Sequence, residues 1–254
     1  MGSNFLTAIL LTTLAGLSTT IGSIISLFYR NPGPVFMAFI MGFSAGIMIF
    51  ISFVELLQSG IDSVGFIYGS IAFFFGMVVL FIIDVLLPHI FILEDYKHTD
   101  SNISKLRKAS IFTAIGIGIH NFPEGIATFA GTLKGVDIGI SLAIAIAIHN
   151  IPEGIAVSVP VYASTKSIRK SFMWSFISGV SEPVGAFIAG LILMPFLNDF
   201  VLGLILCAVG GLMVFIAFDE LLPVSHSYEK EHISIIGVMT GMIIITISLA
   251  LFRY

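Results

Sequence analysis

The sequence predicts an all-α integral membrane protein with eight transmembrane helices, and three observations carry that reading. Of its 254 residues, 57% are hydrophobic and only 10% charged, whereas a soluble domain carries roughly a quarter charged residues. Polar or turn-forming breaks cut the chain into apolar stretches close to the roughly 20 residues a helix needs to cross a bilayer. The positive charges fall almost entirely in alternate breaks. Too few charges remain to cover a water-facing surface, so the expected surrounding is membrane lipid. The net charge of −4 argues against nucleic acid as a partner.

In chain order the expected spans are 5–28, 35–57, 65–91, 109–133, 136–162, 172–195, 199–222 and 233–252. The breaks between them are Arg30-Asn31-Pro32-Gly33, Ser59-Gly60-Ile61-Asp62, the run Glu94 to Lys108, Lys134-Gly135, Thr165 to Lys170, Asn198-Asp199, and Glu229-Lys230-Glu231-His232. So short a link between spans 4 and 5 makes them antiparallel neighbours. No linker or low-complexity tract marks a second domain, so residues 1–254 read as one transmembrane domain. The breaks after spans 1, 3, 5 and 7 hold Arg30, Lys97, Lys105, Arg107, Lys108, Lys166, Arg169, Lys170 and Lys230, against Lys134 and Arg253 on the other side. The positive-inside rule then places loop 94–108 in the cytoplasm and both termini outside, in a multi-pass protein of the cell (inner) membrane. The first apolar segment lacks a basic start and runs too long for a cleaved signal. The lone Cys207 excludes an intramolecular disulfide and reads as a packing residue.

Ionisable side chains within spans cost about 2.5–3.5 kcal/mol each at a helix centre and mark functional candidates. They are Glu55, Asp84, Glu124, Glu153, Glu182, Asp219 and Glu220, with His120 and His149. Glu55, Asp84, Asp219 and Glu220 lie in the last turns of their spans, where a carboxylate can also reach the headgroups. Two phrases repeat: IGIHNFPEGIA at 117–127 and IAIHNIPEGIA at 146–156. On a helix of about 100° per residue, His120 and Glu124 sit about 40° apart and Asn121 falls in the same arc. Thr113, Gly116, Ala127, Thr128 and Gly131 complete that small, polar face, and Phe112, Ile115, Ile119, Phe122, Ile126, Phe129 and Leu133 form a bulky face suited to lipid. His149, Asn150 and Glu153 repeat the geometry. Span 6 adds Ser171, Ser175, Ser178, Gly179, Glu182, Ala186, Ala189 and Gly190 on one face, with Phe176, Val180, Val184, Phe187 and Leu191 turned away.

Pro123, Pro152 and Pro183 each adjoin one of the three glutamates. Each removes a helical hydrogen bond and frees a carbonyl four residues back, so spans 4 to 6 are expected to open at mid-depth around a polar pocket. Two imidazoles and three carboxylates suit a divalent ion such as Zn²⁺. One dication, or two bridged by shared glutamates, would balance the acids. A closed structural zinc site is usually rich in cysteine; this one is Cys-free and oxygen-rich, which favours transport.

The paired HNxPEG motif, followed by SGVSEPVGA on the next span, resembles the ZIP (Zrt/Irt-like) family of divalent-metal transporters, and most of all its compact bacterial branch. The resemblance covers the whole chain. It implies a 3+2+3 arrangement in which spans 1–3 and 6–8 are inverted repeats around spans 4 and 5. It implies His120, Asn121, Glu124, His149, Asn150, Glu153 and Glu182 as ligands of one or two metal ions, uptake into the cytoplasm, and allows a homodimer. FVELL at 53–57 matches FDELL at 218–222 as the repeat would require, which makes Glu55, Asp219 and Glu220 pathway candidates, with His226 at the mouth of span 7. Loop 94–108 offers only His98 as a metal-collecting group; His89 and His232 read as interface residues.

The expected function is thus transport of Zn²⁺, with Fe²⁺, Mn²⁺, Co²⁺ and Cd²⁺ as further cargo that imidazole and carboxylate accommodate (zinc, iron, manganese, cobalt and cadmium). The metal is cargo, and no enzyme activity is expected. The rival is an intramembrane zinc-dependent hydrolase using a metal-activated water. Against it, the chain has no HExxH pair, and each motif ends its turn with glutamate where that pair needs a second histidine.

Overall fold

The structure, a computed structural model, describes residues 2–28, 32–86, 103–196 and 198–253. Among these residues there is no strand, and eight helices follow one another: α1 (Gly2–Phe28), α2 (Pro34–Val64), α3 (Phe66–Leu86), α4 (Ile103–Lys134), α5 (Val136–Thr165), α6 (Ile168–Leu193), α7 (Asp199–Ser227) and α8 (Glu231–Arg253). Seven are long and apolar enough to cross a membrane. The eighth, α4, has 32 residues, but Lys105, Arg107 and Lys108 open it and its HNFPE phrase dilutes its middle. It begins inside the stretch expected as loop 94–108; His89 and His98 lie outside the described residues.

Local chemistry sets the turns. Pro34 starts α2, where its missing N–H costs nothing. Gly65, the one residue between α2 and α3, has φ +81°, a conformation that favours glycine. Gly135 alone joins α4 to α5. Asn198 caps α7 by accepting the Val201 N–H at 2.9 Å.

In space the helices sort into two groups of four. Helices α1, α4, α5 and α6 all pack on one another; α2 packs on α8 and α7, and α7 on α3. The groups meet through α2–α5, α4–α7 and α5–α8. Apart from α5–α8, each of these pairings has a counterpart under the exchange of α1, α2 and α3 with α6, α7 and α8, and of α4 with α5. Glycine contacts fix the register of that exchange. A Cβ on Gly46 would strike the Val238 carbonyl, and one on Gly211 the Phe73 carbonyl; both 46 to 211 and 73 to 238 are steps of 165 residues. A Cβ on Gly125 would strike the Glu182 carbonyl, and one on Gly154 the Thr19 carbonyl; the step is 29 from α4 to α5 and 163 from α1 to α6. Without a hydrophobic drive between helices in lipid, such close backbone approach is what holds them together. Large apolar side chains left exposed, among them Leu6, Phe74, Phe187 and Ile243, stud α1, α3, α6 and α8, a surface that suits acyl chains.

Two expectations change. First, α4, α5 and α6 run unbroken through Pro123, Pro152 and Pro183. The carbonyl four residues before Pro183, that of Gly179, is seated against Gly16 of α1, so packing shelters a group expected to require an open helix. The described departures from α geometry within spans lie instead in α2 and α7, as π turns at Ser52–Leu57 and Ala217–Leu221. They carry the FVELL and FDELL segments. Second, Phe129 is buried, not lipid-facing. It stacks edge-on with Phe5 of α1 at 5.7 Å and covers Gly190 of α6. Ile115 and Ile119 do stay exposed, and on α6 the small and bulky faces fall as the sequence divides them.

Candidate metal centre

The small residues of α1, α4, α5 and α6 let four backbones approach where the repeated phrases cross, and the polar groups gather there. His120, Asn121, Glu124, His149, Asn150, Glu153 and Glu182 are all buried. One helical turn places His120 Nε2 3.4 Å from Glu124 Oε1, and across the α4–α5 seam it lies 3.3 Å from Glu153 Oε1. His149 Nε2 is 2.9 Å from the same Glu124 oxygen and 4.0 Å from Glu153 Oε1. His120, Glu124 and Glu153 each offer an atom within 4.8 Å of the others. Atoms around one tetrahedral zinc sit roughly 3.4 Å apart, from metal–ligand bonds of about 2.0–2.2 Å, so this trio is already near the spacing an ion imposes.

Neighbouring helices orient the set. The Ala145 carbonyl takes the hydrogen bond of His149 Nδ1 at 3.1 Å, which turns Nε2 toward Glu124. Asn121 donates to the Ser178 carbonyl of α6 at 3.3 Å, and Asn150 to the Ala15 carbonyl of α1 at 3.0 Å; the two bonds are equivalents under the pseudo-twofold. Asn150 also donates to Glu182 Oε1. Glu182 therefore joins the centre through Asn150 and lies outside the tight trio. With both amide nitrogens held, Oδ1 of Asn121 and of Asn150 stays buried without a hydrogen-bond partner, as do both nitrogens of His120, both carboxylate oxygens of Glu153, Glu124 Oε2 and Glu182 Oε2. Buried polar atoms left unpaired cost free energy. They are oxygen and nitrogen atoms, and of their residues His120, Glu124 and Glu153 form a group that could hold a metal ion.

The pathway candidates divide. Glu220 stands 3.8 Å from His120 Nδ1 with 44% of its side chain exposed, so it touches both the centre and the surface. Its equivalent Glu55 is 1% exposed, within reach of the Ser59 hydroxyl. Asp219 is half-buried, and His226 and His232 are exposed. Two participants escaped the sequence reading. Helix α1 supplies Ala15 and Thr19, although its Thr12, Ala15, Gly16, Thr19 and Ser23 carry the small-residue spacing that could have flagged it. Lys134 reaches across to α2, which no spacing signals.

The family model described as ZIP Zinc transporter matches residues 92–249. The chain belongs to that family. Relatives named "Zinc transporter ZupT" from Streptococcus mutans and Oceanobacillus iheyensis are each 46% identical, over 99% of this chain and 100% of that protein in the first case and 98% of both in the second. One of the same name from Lysinibacillus sphaericus is 44% identical over 99% of both chains. As a ZIP member the protein stands in a family of transporters, not of enzymes, and the hydrolase expectation falls.

Proposed function

We propose that this protein carries Zn²⁺ across the cell membrane into the cytoplasm through the buried centre of α4, α5 and α6, holding one or two ions on His120, Asn121, Glu124, His149, Asn150, Glu153 and Glu182. The observation that carries the reading is the convergence of His120, Glu124 and Glu153 within 4.8 Å, beside buried polar atoms that lack partners. The names of the relatives support zinc as cargo; the same imidazole and carboxylate set accepts Fe²⁺, Mn²⁺, Co²⁺ and Cd²⁺. The charge asymmetry supports an orientation with the α4–α5 turn outside and the end of α7 in the cytoplasm. Glu220 then forms the inner exit, with Asp219 and His226 at its mouth, and Glu55 the outer approach. Alternating access around a fixed mid-depth centre is the corresponding mechanism. The test is zinc flux into proteoliposomes. Wild-type protein gives flux without any cleavable substrate, and Glu124→Gln or Glu153→Gln reduces it to that of empty liposomes. Undiminished flux in the double variant overturns the ligand assignment.

A further inference from the structure

On the face that carries the α2–α3, α4–α5 and α6–α7 turns, the last residue of α4 bridges the two helix groups. Lys134 is half-buried, and its ammonium donates to the Ser59 carbonyl of α2. Ser59 in turn reaches Glu55 Oε1 at 3.5 Å. The carboxylates of Asp62, Asp199 and Glu55 all lie close enough to act on the Lys134 charge. The pseudo-twofold gives this arrangement no counterpart: 29 residues after Lys134 stands Ala163, and 165 after Ser59 stands Val224. Where that lysine is missing, Glu220 is exposed and meets His120; where it is present, Glu55 is sealed.

We propose that Lys134 is a latch, a tethered cation that closes the seam between α4 and α2 and occupies the acidic mouth through which a divalent ion would approach Glu55. The proposal rests on the transport reading. Its charge stands in for the cargo's: the ammonium offsets part of the negative field of Asp62, Asp199 and Glu55 while the centre faces the opposite side, and an arriving dication competes for the same carboxylates. Lysine suits this use because its ammonium is a compact point charge on a flexible stem.

Thiol labelling tests the latch. In a Cys207→Ala background, Thr128→Cys places a reporter on the buried polar face of α4, one turn beyond Glu124 toward Lys134. A membrane-impermeant thiol reagent is applied, without zinc, to the α4–α5 turn side of sealed vesicles. Lys134→Met raises the labelling rate about tenfold, the size of one lost charged hydrogen bond, and Lys134→Arg leaves it slow. Lys134→Gln serves the same purpose if Lys134→Met does not fold. Labelling of the neutral variants at the rate of the lysine parent, or of Lys134→Arg at the neutral variants' rate, overturns the latch. Because no zinc is present, this failure is separate from loss of flux in Glu124→Gln, which tests transport itself.

Discussion

Helix α6 and helix α1 occupy equivalent places beside the repeated phrases, yet they give the centre different chemistry. The Glu182 carbonyl of α6 rests on Gly125 of α4 as the Thr19 carbonyl of α1 rests on Gly154 of α5. Above those matching backbones, α6 offers a carboxylate to Asn150 and α1 offers a hydroxyl without a partner. Helices α2 and α7 differ in the same manner: both make a π turn around a glutamate, and only Glu220 reaches the imidazole and the surface. Symmetry is thus a property of the backbone contacts, and polarity and access are assigned side chain by side chain on top of it. The two halves thus share a scaffold and differ in which glutamate is open to the surface.

The largest effect is expected at the point both phrases share. Glu124 touches both imidazoles, so Glu124→Gln abolishes zinc flux in proteoliposomes while the purified protein stays folded; retained flux would show that the two copies act independently. Next come the seams. Gly125→Val and Gly154→Val drive a side chain into equivalent carbonyls, and each lowers the yield of folded protein and its Tm, by well over the roughly 1–3 kcal/mol of ordinary overpacking. A neutral result at one and not the other would deny the equivalence. Glu182→Thr makes α6 resemble α1 and weakens zinc binding by about 10–100-fold, as loss of a group that orients ligands does, read by calorimetry in detergent; adding Thr19→Glu restores part of it if the scaffold accepts acid from either side. Zinc that binds the folded state raises Tm, and chelation reverses it, worth about 2.7 kcal/mol at 100 times Kd; Glu182→Thr shrinks that shift. The smallest effect is at Gly116, where an added Cβ meets nothing within 4 Å. Gly116→Ala leaves flux unchanged and stabilises by about 0.5–1 kcal/mol.

The sequence revealed the polar faces of α4, α5 and α6 because a helix period of 3.6 converts spacing directly into direction. For that reason Ser171, Ser175, Ser178 and Glu182 are found buried where Phe187 and Leu191 are exposed. The burial of Phe129 is not legible in the sequence, because it comes from a gap that Phe5 and Gly190 of other helices leave, which no single-helix pattern encodes. The prolines misled for a related reason: whether a freed carbonyl needs a cavity depends on what packs against it, and Gly16 was 163 residues away from the carbonyl it shelters. The matching FVELL and FDELL segments did announce two equivalent glutamates. That one is buried and the other exposed is not written in those segments, and Lys134, which reaches α2 on the Glu55 side, stands 79 positions from Glu55.

The single-residue link at Gly135 turns the distance between the two phrases into a ruler. His149 follows His120 by 29 residues, and with no slack between α4 and α5 that interval alone decides which compass bearing the second imidazole takes. Lengthening it by one amino acid inside α5 would swing His149 and Glu153 through about 100°, into the places of Asn150 and Gly154 against α1. Insertions are therefore forbidden within this stretch for a reason of phase, even where every individual side chain could be exchanged.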